Sequence, residues 1–184
     1  RLRDNPAALA GLLFLIVLIV LAIFAPMLSV WSVTAQDLKS QNMPPSSLHW
    51  FGTDDLGRDI FVRTWYGARI SLFVGLMAAL IDFVIGVTYG GYSGYKGGKT
   101  DIAMMRVLEV LYGLPYLLVV ILLMVVMGPS LLTIIIALTI TGWISMARLV
   151  RGQVLQLKNQ EYVTAARSFG ASTAHVIRRH LLPN

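Results

Sequence analysis

Two long stretches without a charged residue decide what this chain can fold into. The first runs from Asn5 to Gln36, and within it Ala7 to Val30 is almost wholly apolar. The second lies between Glu109 and Arg148 and holds 38 residues. A helix needs about 20 apolar residues to cross a hydrocarbon core. The first stretch therefore makes one span, and the second is long enough for two, divided near its middle by Gly128-Pro129-Ser130. A further span reads from Ile70 to about Tyr89, interrupted by one charge, Asp82.

Composition agrees. Of 184 residues, 57% are hydrophobic and 13% charged, with mean hydropathy +0.72, whereas a soluble domain carries about 25% charged residues. The expected fold class is all-α, a polytopic transmembrane helix bundle with four spans, and a free-standing soluble enzyme is excluded. Arg1 and Arg3 before an apolar run also suit a secretory signal, but a signal core is about 7 to 15 residues long and this run is much longer. The start at Arg1 and the stop at Asn184, after a basic amphipathic stretch, suggest a piece of a longer polypeptide.

The spans give a domain plan: residues 1–31, an N-terminal stub and first transmembrane helix; residues 32–69, a polar loop of zero net charge outside; and residues 70–184, the first part of a membrane core. Asp59 to Arg69 reads as a helix leading into the membrane. The segment Gly90-Gly91-Tyr92-Ser93-Gly94-Tyr95-Lys96-Gly97-Gly98 reads as a glycine-dense turn between spans. With the N-terminus inside, eleven of the fifteen Lys and Arg residues fall on the cytoplasmic side and four outside. That bias sets the orientation.

Little bond chemistry is on offer. There is no cysteine, and His49, His175 and His180 have no metal-ligand spacing on one helix face, so no metal site is expected. Gly97-Gly98-Lys99-Thr100 ends like a phosphate loop, but the position five before Gly98 is Ser93, where the motif needs glycine. Asp82 is the one intramembrane acid; it serves either helix packing and pairing or a substrate path. Gly75, Ala78, Ala79 and Gly86, and later Thr139, Thr141, Gly142 and Ser145, form small faces for close packing, and Pro115 should kink its helix.

The last segment reads as helix, tight turn and helix: Glu161 to Phe169, a break at Gly170, and Ser172 as the next cap. Gly170 is expected where a side chain would strike the backbone or a groove wall. Such a basic protrusion with an apolar face lies on the bilayer or fits a partner's groove.

Thr164-Ala165-Ala166, three residues, Gly170, then Leu182-Pro183 resembles the EAA loop of ABC importer permeases, with Thr164 in the usual glutamate position and His180 in the usual isoleucine position. The resemblance implies that Val163, Thr164, Ala165, Ala166, Phe169, Gly170, Ala171, Ser172, Leu182 and Pro183, within a loop at about 158–184, contact the ATPase. A second stretch, Gly52-Thr53-Asp54-Asp55-Leu56-Gly57-Arg58-Asp59, is similar to the signature of the second, C-type permease subunit of oligopeptide, dipeptide and nickel importers. Asn5-Pro6 and Phe24-Ala25-Pro26 are similar to that subfamily's extra first helix.

What the resemblance implies is a pore-forming subunit of the bacterial or archaeal cytoplasmic membrane that is not an enzyme and carries no cofactor. ATP and magnesium would sit on two partner ATPases. A homologous second permease and an external binding protein would complete the importer, with peptide, nickel or another small solute as cargo. About two further helices follow the Leu-Pro in that family, so the C-terminal part of the pore would be missing here. An ion-coupled carrier or a membrane-anchored interaction protein are the readings from other classes.

Overall fold

The computed structural model describes residues 5–170 and residue 175. Its helices are α1 Pro6–Phe24, α2 Ile60–Lys96, α3 Gly98–Tyr112, α4 Tyr116–Met127, α5 Leu131–Leu157 and α6 Glu161–Ser168. The chain divides into two compact units, Arg1–Phe73 and Val74–Asn184.

In the first unit, α1 starts where the Asn5 side chain accepts from the Ala8 amide at 3.2 Å and Pro6 fills the first helical position, a place where no N–H is needed. Its 19 residues reach about 29 Å at 1.5 Å each, enough to span a bilayer core. At its far end the Arg69 guanidinium donates to the carbonyls of Ala22 (3.1 and 3.3 Å) and Ile23 (3.2 Å). These are among the last carbonyls of the helix, which have no intrahelical partner and attract a cation. Beyond them Ala25, Phe61 and Val62 form a small core with Trp31, Val33 and Trp65 around it.

In the second unit one expectation is corrected. Gly90 to Lys96 is not a turn: α2 runs unbroken for 37 residues through Gly90, Gly91 and Gly94, and the chain reverses only at Gly97 and Gly98, both at positive φ. The reason is packing. Gly86, Gly90 and Gly94 recur every fourth residue, so they share one face of α2. A Cβ at Gly86 would fall 3.0 Å from the Trp143 carbonyl oxygen, one at Gly90 would collide with the Ala147 carbonyl, and one at Gly94 would lie 2.9 Å from the Arg151 carbonyl oxygen. All three glycines let the backbone of α5 come close. Leu108 and Ile144 seal the same seam, with Tyr89 edge-on to Trp143 at 4.9 Å.

The order of these contacts fixes the direction of the helices. Residues 82, 86, 90 and 94 of α2 meet 142, 143, 147 and 151 of α5, so the two helices run parallel. The chain between them must return across the same thickness. That return is the pair α3 and α4, bent by 75° at Gly113-Leu114-Pro115, where Pro115 caps α4 in an extended conformation. Pro115 thus breaks its helix outright, and the pair counts as one broken span. With α1, α2 and α5 the described residues hold up to four candidate crossings by length and composition. The hairpin at Gly128-Pro129-Ser130 is closed by Ser130, whose hydroxyl accepts from the Thr133 amide at 3.1 Å, and by the Thr133 hydroxyl, which donates to the Gly128 carbonyl at 2.8 Å.

Candidate functional site

At the end of α5 the backbone turns through Lys158 to Gln160 into α6, an eight-residue helix. Val163 is fully buried against Val154, with Tyr95, Val150 and Leu157 around it. The Lys158 ammonium donates to the Gly94 carbonyl at 3.0 Å. The Gln160 amide donates to Leu157 and the Val163 amide to Gln160, both at 3.0 Å. Val163 thus anchors α6 to the helix ends below it, while Phe169, just past the last residue of α6, is 92% exposed. Thr164, Ala165 and Ala166 lie within α6.

Gly170 follows with φ +81°, and none of the described residues lies within 4 Å of where its Cβ would be. Among the described residues the constraint on residue 170 is its left-handed backbone, which side chains other than glycine's seldom adopt. Ala171, Ser172, Leu182 and Pro183 lie outside the described residues.

Beside this anchor sits a charged cluster joining three helices. Asp101, on the first turn of α3, is 6% exposed. It accepts from Arg151 of α5 through both carboxylate oxygens at 2.5 Å and from the Ser93 hydroxyl of α2 at 2.5 Å. Higher along the glycine stripe, Asp82 faces Gly142, where a Cβ would fall 2.8 Å from its Cγ, and its Oδ1 is buried without a hydrogen-bond partner among the described residues.

In the first unit the segment 52–59 is a tied loop. Thr53 pairs with Asp59 in an isolated antiparallel bridge. The Thr53 hydroxyl donates to the Ser40 carbonyl and accepts from the Met43 amide. Asp54 accepts from the amides of Leu56 and Arg58, both at 2.9 Å, and from the Arg58 guanidinium at 2.7 Å. Removal from water works against its ionisation, but these donors outweigh it and hold the carboxyl below the usual carboxylate range. Asp59 accepts from the Val62 amide at 2.9 Å at the start of α2, and its other oxygen meets His49 at 2.8 Å. Gly52 and Gly57 both take positive φ, and a Cβ would strike the carbonyls of Met43 and Asp37 respectively. Gly52, Thr53, Asp54, Gly57, Arg58 and Asp59 therefore each have a local job in closing the loop. Among the described residues no cluster of His, Asp and Glu able to hold a metal is present.

Comparison with known proteins decides the family. Residues 86–184 match the model of the binding-protein-dependent transport system inner membrane component. The chain belongs to that family. Residues 1–45 match a second model, the N-terminal TM domain of oligopeptide transport permease C, which fits the expected C-type subunit with its extra first helix.

Over all 184 residues the chain is 68% identical to the dipeptide transport system permease protein DppC of Bacillus subtilis, of which it covers 58%. It is 57% identical to the oligopeptide transport system permease protein OppC of the same organism, of which it covers 60%. Against OppC of Escherichia coli K12 the identity is 45%, over 62% of that protein. The chain thus spans about three-fifths of the length of these relatives.

Two features of this family member escaped the reading from sequence. The pairing of Asp101 with Arg151, 50 residues apart, leaves no local signal. The face of Gly86, Gly90 and Gly94 does leave one, a repeat at every fourth residue, but only Gly86 lies in the span that apolar composition marks out.

Proposed function

We propose that the whole protein is the C-type permease subunit of an ATP-driven importer of dipeptides or oligopeptides, set in the cell membrane with its N-terminus in the cytoplasm. In this reading the loop before α2 is outside, the Gly97-Gly98 turn inside, the 128–130 hairpin outside, and α6 inside. A homologous permease completes the pore, two cytoplasmic ATPases bind ATP and magnesium, and an external binding protein delivers the peptide. The permease makes and breaks no bonds. The dipeptide and oligopeptide permeases among its relatives support the cargo, and the eleven-to-four bias of basic residues supports the orientation.

The observation that carries the mechanism is α6: a helix pinned to the bundle by the buried Val163 yet presenting the exposed Phe169 and the left-handed Gly170 beyond it. A partner gripping that end moves the spans only if it fits the two pump states differently, since equal affinity for both shifts nothing. The test is uptake of a radiolabelled dipeptide by the complete transporter in vesicles. Uptake should require the binding protein and ATP and persist when ionophores collapse every ion gradient. Uptake driven by a gradient without ATP would overturn the reading.

A further inference from the structure

The ion pair at the base of α6, its carboxylate buried and its guanidinium partly exposed, has no place in the reading so far. Three bonds converge on one carboxylate, one from Ser93 and two from Arg151, and the three residues belong to three helices: Ser93 near the end of α2, Asp101 at the start of α3, and Arg151 two turns before the end of α5. Arg151 binds through Nε and Nη2 together, the two-point geometry that fixes orientation as well as distance. Val154, which seats Val163, lies three residues beyond Arg151, and Lys158, bonded to Gly94, lies seven beyond, on the same side of α5.

Stability alone does not account for such a pair. At the buried Asp101 position a well-packed apolar side chain would serve stability as well or better, whereas a two-point ion pair admits few geometries. In a chain that is 57% hydrophobic, the pair's distinct contribution is one register among the three helix ends. We propose that Asp101, Arg151 and Ser93 are positioning residues for transport: they lock the ends of α2, α3 and α5 into one body with α6, so that displacement of α6 by its partner reaches the helices of the path undiminished. This rests on the importer reading above for its direction of force, but the lock itself does not.

Two measurements on the full-length subunit in the assembled transporter test it. The first is independent of cargo. Spin labels on cysteines replacing the exposed Ile102 of α3 and Leu149 of α5 should give one narrow distance distribution, which Asp101→Asn broadens or splits. An unchanged distribution overturns the lock.

The second measurement is peptide moved per ATP hydrolysed. Asp101→Asn and Arg151→Lys, which keeps the charge but loses the two-point fork, should each lower that ratio about tenfold, within the range for substitutions along a coupling network. ATP hydrolysis and ATPase co-purification should stay within about twofold, a change too small to signal loss of the complex. Ser93→Ala, which removes one bond of three, should give a smaller fall in the same direction. The reversed pair Asp101→Arg with Arg151→Asp should recover part of the ratio, which a purely local folding defect would not. A ratio unchanged in assembled variants overturns the proposal, and so does failure of all three single variants to assemble, which would make the cluster a folding element only. If the unaltered transporter moves no peptide, the importer reading falls and the spin-label result still decides the lock.

Discussion

Replacing Gly90 by alanine sets two effects of known size against each other. In a helix interior alanine is favoured over glycine by about 1 kcal/mol, so the substitution should stabilise α2 if nothing stands nearby. At Gly90 the new methyl would collide with the Ala147 carbonyl oxygen and lie 2.9 Å from its carbon and 3.0 Å from its Cα. All three are backbone atoms of α5, which cannot rotate aside, so α2 and α5 must part. Overpacking costs about 1 to 3 kcal/mol, and with backbone as the obstacle the upper end applies. The net loss is then about 2 kcal/mol after subtracting the helix gain.

Gly75→Ala, in the same helix with nothing within 4 Å, should instead gain up to about 1 kcal/mol. The two variants should differ by about 3 kcal/mol. SDS titration of the full-length subunit, with every tryptophan other than Trp143 replaced by phenylalanine so that Trp143 against Tyr89 reports the seam, measures the difference. Stabilities equal to within about 0.5 kcal/mol, the spread of substitutions that touch nothing, would refute the close approach of α2 and α5.

Gly170→Val should leave membrane insertion intact and abolish ATP-dependent uptake, because a β-branched residue does not adopt φ +81°; uptake within twofold of the Lys99→Ala control would count against the α6 assignment. Asp82→Asn keeps the shape facing Gly142 and should retain most ATP-driven uptake, whereas complete loss with normal assembly would mark an obligatory ionisable group. A cysteine at Ser47 should react with an impermeant maleimide from outside only, and labelling from the cytoplasm alone would invert the topology. The Asp54 carboxyl is held below its ordinary value of about 3.9, so its support of the 52–59 loop is complete above that pH and is lost as pH falls through the lower folded value. Protection of the Leu56 and Arg58 amides from hydrogen exchange, taken relative to the intrinsic rate at each pH, should fall as pH drops through the lowered folded value, and Asp54→Asn should remove that pH dependence.

The candidate crossings were legible because apolar length is a local property that no tertiary contact overrides in a membrane. The glycine-rich stretch misled for a related reason. Glycine marks both the turn and the close helix contact, and only spacing separates them. Gly97 and Gly98 are adjacent and take positive φ; Gly86, Gly90 and Gly94 are four apart and stay helical. Read by density the segment is a loop, and read by period it is a packing face that ends at Lys96. The signature loop was legible as a pattern but not as a mechanism, since Gly52 and Gly57 matter through the carbonyls of Met43 and Asp37, which sequence adjacency does not reveal.

Charges carry the same lesson for orientation. The count of Lys and Arg treats each residue as free to interact with the membrane field, but several are committed inside the fold. Of the four on the proposed outer side, Arg58 and Arg63 face Asp54 at 2.7 and 3.6 Å, and Arg69 caps the carbonyls at the end of α1. Only Lys39 of that group carries no such structural duty among the bonds described above. On the proposed cytoplasmic side Arg151 is likewise committed to Asp101, Arg106 to Glu109 and Lys158 to the Gly94 carbonyl, which removes three of eleven. Discounting the committed residues on both sides raises the ratio of basic residues between the two faces. The asymmetry that supports a cytoplasmic N-terminus therefore grows stronger when structural ion pairs are subtracted, and since paired cations are the ones that burial would hold in place under either topology, the unpaired remainder is the part that the positive-inside rule should weigh.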